Sequence, residues 1–248
     1  MNTRKNGSPR ANLDLMGGFR LEVDGVRTAM PPNAERLLAF LALHASGASR
    51  SAVTAALWPD VPQQHAAGRL RSTLWRIARV WPDAVAQDGR SLLRLDDAVD
   101  VDVARIEREV DALCGAGSAT GTGDLDIAEL QSDLLPTWPD EWLVGEREWL
   151  RQVRLHALDA LCAHHRVRGS FHSALRAGLA AVSTEPLRES AHRELVALHL
   201  AEGNPAEALR QYSLFRTLLH GELGVSPSTA LEHLVAPLLN RLGGAGTG

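Results

Sequence analysis

The residues best equipped for chemistry are arginines. Between Gln63 and Trp81 the sequence QQHAAGRLRSTLWRIARVW carries Arg69, Arg71, Arg76 and Arg79 and no acidic residue. A guanidinium offers a planar fork of donors suited to phosphate oxygens and to the O6/N7 edge of guanine. No comparable grouping points to catalysis. His164-His165 and His172 form no i, i+4 pair with a supporting carboxylate, and the ten histidines are otherwise scattered. GxSxG, the phosphate-binding GxxxxGK[ST] loop and paired acids are all missing from the sequence. Cys114 and Cys162 are single thiols without CxxC spacing, read as small buried hydrophobes in a reducing compartment. No enzyme activity, metal or cofactor is therefore expected, and the chemistry on offer is recognition of an anion.

The element that must position the arginines is a helix. At 100° per residue, Leu70, Leu74, Ile77 and Trp81 fall within about 40° of one another, an i, i+4, i+7, i+11 stripe. His65, Ser72, Arg76 and Arg79 point the opposite way, with Arg69 beside them. Arg71 lies on the flank and Gly68 faces outward. Trp75 is also flanking and is expected to pack against the wing or a neighbouring helix, with stacking on a base as the alternative. The alternative is an ordinary surface helix with a solvated charged face. Such helices usually mix signs for i, i+4 pairing, and this one does not.

The bulk properties frame that helix. With 248 residues, 45% apolar and 23% charged, the chain suits two modest soluble domains. The net charge of −4 hides an asymmetry. Residues 11–95 hold ten basic against seven acidic residues, and residues 112–248 hold eleven against sixteen. A basic front and an acidic back fit nucleic acid at one end and a protein partner at the other. The amino terminus has no apolar h-region, and no apolar run approaches membrane-spanning length, so a cytoplasmic location without membrane contact is expected.

Before the basic helix, LDLMGGFRLEVDGV reads as two short antiparallel strands with Asp24-Gly25 as a turn. Asn33 is placed to cap a helix over ERLLAFLALHAS, and Ser49 to cap a second, Arg50–Leu57, ended at Trp58-Pro59. After it, AVAQDGRSLLRLDD reads as a hairpin turning at Asp88-Gly89, presenting Arg90 and Arg94. Strands, two helices, a basic helix and a hairpin make a winged helix-turn-helix of the OmpR-like response-regulator type. One more helix over 100–113 closes it. A Gly/Ser/Thr-rich joint, GAGSATGTGD, follows.

Past the joint every segment to Leu242 reads as helical. Gly169 and Gly203 are 34 residues apart, as are Ala174 and Ala208, and Leu175 and Leu209. That period, with Gly at the turn and small Ala in the next helix, is tetratricopeptide-like. Two repeats need flanking helices, 146–168 and 227–242, to close the stack. The expected fold is therefore mainly α, with an α+β first domain. The parts are a tail over 1–11, the winged helix over 12–113, a linker over 114–123, an all-α domain over 124–243 and a tail over 244–248.

Taken together, LLAFLALH at 37–44, SRSAVTAALWPD at 49–60, LRSTLWRI at 70–77, AVDVDVARIE at 98–107 and LLPTWPDEWLVGEREWLRQVRLHALDAL at 134–161 resemble the Streptomyces antibiotic regulatory protein (SARP) type. In that family a winged-helix domain precedes a bacterial transcriptional activator domain. The wing departs from the family's usual Gly-Tyr, having Ser91-Leu92 there, and the chain resembles the short members without an ATPase module. The resemblance implies a sequence-specific activator bound to double-stranded promoter DNA, as a dimer or tandem protomers on direct repeats. It also implies contacts to RNA polymerase and its σ factor, and control of secondary-metabolite genes. In physical terms the basic helix enters the major groove, amino-terminal part deepest. His65, Arg69 and Ser72 then face base edges, Arg76 and Arg79 face phosphates, and Arg71 serves backbone or solvation. Arg90 and Arg94 would meet the adjacent backbone or minor groove. The competing class is a protein-interaction scaffold whose winged helix no longer binds DNA.

Overall fold

The computed structural model describes residues 11–87, 92–114 and 125–244. The chain divides into two units, one of Met1–Arg108 with Ser132–Leu150, the other of Glu109–Gln131 with Arg151–Gly248. The first is the winged helix.

Its first sheet comprises β1 (Ala11–Asp14), β2 (Arg20–Val23) and β3 (Val26–Arg27), joined later by β7 (Val99–Val101) in the order β3-β2-β1-β7. β1 pairs antiparallel with β2 but parallel with β7. The sequence reading anticipated two strands here. The third arises because Asp24, at φ 51°, and Gly25, at φ 78°, turn the chain back on β2. Helix α1 (Pro32–Leu43) buries Leu37, Leu38, Phe40 and Leu41. Its N-cap is Pro31, with no side-chain cap bond, so Asn33 does not cap it. Pro32 at the first turn needs no N–H partner and starts the helix two residues earlier. Ser49 does cap α2 (Arg50–Leu57), its Oγ accepting from the Ala52 amide at 3.1 Å. Strand β4 (Ala48–Ser49) precedes α2, and α3 (Gln63–Val80) follows it. The wing is β5 (Val85–Gln87) against β6 (Leu92–Leu95), in register Val85↔Leu95. β4 pairs with β6 from the other side, making a three-stranded sheet where a hairpin alone was expected. The turn Asp88-Gly89 lies outside the described residues.

Helix α4 (Asp102–Cys114) is anchored at its start. Buried Asp102 accepts from the Leu15 and Met16 amides through Oδ2 and from Val103 through Oδ1, each at 2.8 Å. The stretch 115–124, holding most of the expected linker, lies outside the described residues. Beyond it comes α5 (Ile127–Gln131), and then the chain departs from the expected all-helical pattern. Residues 132–142 are irregular, because Pro136 and Pro139 deny the helix its amides. Instead of belonging with the later helices, 132–150 packs with the winged helix. Gly17 N donates to Asp133 O at 2.7 Å and Leu135 N to Leu15 O at 3.0 Å. Trp138 stacks on Phe19, and Trp142 meets Phe40 edge-on. Arg147 donates to the carbonyls of Leu134, Leu135 and Trp138. These bonds hold buried Leu135 at a left-handed φ of 42°.

The second unit is helical. It takes the later part of α6 (Leu143–Val167), then α7 (Phe171–Thr184), α8 (Glu189–Ala201), α9 (Pro205–Leu223) and α10 (Thr229–Gly244). Successive helices from α7 to α10 pack on one another. The 34-residue repeat has a backbone cause. Gly169 (φ 72°) and Gly203 (φ 79°) adopt the same left-handed turn before α7 and α9, a conformation glycine takes without steric cost. Ala174 and Ala208 are both fully buried in the helices that follow. Val196, Tyr212, Phe215, Leu219, Leu231 and Val235 form one core cluster with Ala208. The architecture is a winged helix-turn-helix and an all-α, tetratricopeptide-like domain.

Candidate nucleic-acid interface

Helix α3 is held from beneath and open above. Leu70 and Ile77 are 1% exposed and Trp81 is 2% exposed; Leu74, on the same stripe, is half-buried. Ala66 and Thr73 complete the seated face, and the helix rests on α1 and α2. Burying each of the larger side chains stabilises the seat by about 1.5–3 kcal/mol. Thr73 Oγ1 donates to Arg69 O at 2.9 Å, so the buried hydroxyl is satisfied within the helix.

On the opposite face His65, Arg69, Arg71, Ser72, Arg76 and Arg79 are all exposed. Among the described residues, no ion pair engages the guanidinium of Arg69, Arg71, Arg76 or Arg79. A cationic face without acidic partners of its own keeps its attraction for an outside anion. Pro62 stands at the N-cap of α3 and supplies no side-chain acceptor, which leaves the positive end of the helix dipole uncovered by a carboxylate. Arg69 also borders a cleft of about 740 Å³ lined by Arg36, Trp58, Asp140, Glu141 and Trp142.

The wing is less free. Arg94, on β6, is exposed and pairs with Asp97 at 3.4 Å. Such an exposed pair is worth little and yields readily to a stronger partner. Arg90 lies outside the described residues.

Two side chains here were missed or misjudged. Arg50, the first residue of α2, donates to Gln87 Oε1 on β5 at 2.8 Å, tying the helix-turn-helix to the wing. Its place directly after a capping serine is the signal that would have found it. Trp75 does not bury itself against the wing or a neighbouring helix. It is 60% exposed, and the Arg79 guanidinium lies 5.0 Å from its ring centroid. A tryptophan one turn from an arginine on an open face finds its partner along the same helix.

Among the described residues, no group of three or more His, Cys, Asp or Glu is arranged to hold a metal ion. No helix among them is long and apolar enough to cross a membrane.

Comparison with known proteins finds one family model and two relatives. Residues 125–239 match the bacterial transcriptional activator domain. The chain is 30% identical over 239 residues to the regulatory protein AfsR of Streptomyces coelicolor, covering 91% of this chain and 24% of AfsR. It thus spans about a quarter of that relative's length. Its fold is similar to that of EmbR from Mycobacterium tuberculosis, solved in complex with a low-affinity phosphopeptide, with a TM-score of 0.77 at 19% identity. That match covers 94% of this chain and 66% of the EmbR chain. These likenesses support a SARP-type regulator, with a bacterial transcriptional activator domain matched over residues 125–239.

Proposed function

We propose that the protein is a sequence-specific DNA-binding activator that lays α3 in the major groove of promoter DNA and recruits RNA polymerase. The observation that carries this is the division of α3: a buried apolar stripe on one side, four arginines, His65 and Ser72 exposed on the other. A helix of this build matches the width of the major groove and the charge of its walls. His65, Arg69 and Ser72 face the base edges, and Arg76, Arg79 and Arg71 face phosphates, with Arg94 and Arg90 following on the wing. A single winged helix reads few base pairs, so two protomers in tandem on direct repeats supply the remaining affinity. The acidic helical unit is the surface for polymerase, including its σ factor, and the resemblance to the SARP type favours secondary-metabolite genes as targets.

Titrating the protein onto its upstream promoter fragment at several salt concentrations tests the groove reading. Each phosphate neutralised contributes about −0.9 to the log–log slope, so about five engaged arginines give a slope of roughly −4 to −5. A flat salt response is incompatible with it, and leaves the winged helix as a protein-interaction module.

A further inference from the structure

The open face of α3 carries one large apolar group that the arginines do not explain. Trp75 is 60% exposed although it sits in the middle of a well-packed helix. Arg71 and Ser72 lie one turn before it and Arg79 one turn after, so it stands within the cationic face and not at a core margin. Leaving an indole in water forfeits the gain of burying it, and that sacrifice makes sense where something apolar arrives later. The Arg79 guanidinium over the ring limits the rotamers of both side chains before any partner binds. Charge complementarity names the partner class: a face bearing Arg71, Arg76 and Arg79 around the indole suits a polyanion better than an apolar protein surface. A duplex presents one apolar group in its major groove, the C5-methyl of thymine.

We propose that Trp75 is a specificity-determining residue that reads a thymine through its 5-methyl group, with Arg79 holding the indole in place. This rests on the groove-binding reading of α3. It differs from the role given to the arginines, because it assigns part of the sequence preference to an apolar contact that salt does not screen.

The test uses the full chain. A duplex is first obtained by in vitro selection from a random-sequence library, and each thymine in it is then replaced singly by deoxyuridine, which lacks only the methyl. The wild type is expected to lose roughly five- to tenfold in affinity at one position and nothing elsewhere. Trp75→Ala should lose about tenfold on the unmodified duplex, little on a scrambled one, and be indifferent to deoxyuridine at that position. Trp75→Phe should retain part of the discrimination. Because the side chain is exposed, the thermal midpoint of both variants should stay near that of the wild type. Tolerance of deoxyuridine everywhere by the wild type, or equal losses by Trp75→Ala on selected and scrambled duplexes, would overturn the thymine contact while leaving groove binding intact. Failure of the wild type to enrich any duplex, with no salt-dependent binding, takes down the groove reading itself and this inference with it.

Discussion

Arg36 and Asp140, 104 positions apart in sequence, share a charged hydrogen bond, Arg36 Nε to Asp140 Oδ1 at 2.8 Å. The Nη2 of the same guanidinium donates to Leu57 O at 2.8 Å, and Asp140 Oδ1 also accepts from Trp142 Nε1 at 3.1 Å. The pair therefore binds the irregular segment 132–142 to the end of α2, where the chain turns toward α3. Asp140 is 8% exposed in its side chain and Arg36 26%. Removing one partner leaves the other poorly solvated and unpaired. Asp140→Ala should accordingly destabilise the winged-helix unit by about 1–3 kcal/mol, read as a lowered urea midpoint. An unchanged midpoint would mean that 132–150 is not part of that unit's stability.

Asp102 closes the other side of the same unit. Burial pushes its carboxyl above the ordinary carboxylate range, against the opposing pull of the Met16, Leu15 and Val103 amides. Asp102→Ala orphans the Leu15 and Met16 N–H groups between β1 and α4 and should cost about 2–4 kcal/mol. Asp102→Asn, which keeps an acceptor oxygen, should cost clearly less. Equal losses in thermal melts of the two variants would show that the acceptor is not what matters.

His192 makes the helical unit sensitive to acid. It is 3% exposed, stacked on Phe215, and its Nε2–H donates to Pro186 O at 2.9 Å while Nδ1 accepts from Gln211 at 2.8 Å. Since the Pro186 carbonyl can only accept and Gln211 Nε2 can only donate, the ring is held neutral. Burial lowers its pKa below 6.5. With the folded value depressed, the unfolded chain takes the proton first. The stabilisation is thus complete above about pH 6.5 and is lost as pH falls from there through the folded value, at up to about 1.4 kcal/mol per pH unit. Urea midpoints at pH 7.5 and 5.5 should differ in the wild type and differ less in His192→Gln. A variant with the same pH dependence would assign the effect to other groups.

Gly178 lets α7 approach its neighbours. A Cβ there would stand 2.5 Å from Leu195 Cδ2 and 3.2 Å from Cys162 Sγ, both in side chains with no exposed surface. Gly178→Ala gains about 1 kcal/mol of helix propensity but forces that packing apart, a net loss of roughly 1–2 kcal/mol. Thiol labelling gives a second readout. Burial raises the Cys162 pKa to about 12, so in a Cys114→Ser background the native thiol should label very slowly, and faster once Gly178→Ala loosens the site. Gain of stability in the variant would show that Leu195 has room to move.

The sequence made the local elements legible where one strong pattern governs them. Helix α3 runs eighteen residues, long enough for a 3.6 period to dominate, and Ser49 caps α2 through a bond three residues away. The return of 132–150 to the winged helix was not legible, since Arg36 and Asp140 meet across 104 residues and no local period records that. The two prolines in that segment do forbid a helix there, but not even they say where the chain goes instead. Trp75 was misjudged for a related reason. At the flank of a stripe, angle alone does not decide between a neighbour in space and a partner on the same helix.

Arg69 and Arg76 sit on the same open face, seven residues or about 10.5 Å apart along the axis. A straight rod and a curving groove cannot stay in contact over that length at equal depth. On the proposed groove docking, the amino-terminal position reaches base edges and the later one meets the rising phosphate wall. Arg69→Ala should therefore lose roughly 10- to 100-fold on the selected duplex and little on a scrambled one. Arg76→Ala should weaken both alike and make the salt slope shallower by about 0.9. Gel-shift titrations of the two variants on both duplexes at several salt concentrations separate these outcomes. The same loss pattern for both arginines would mean that α3 lies flat along the backbone, reading charge and no sequence.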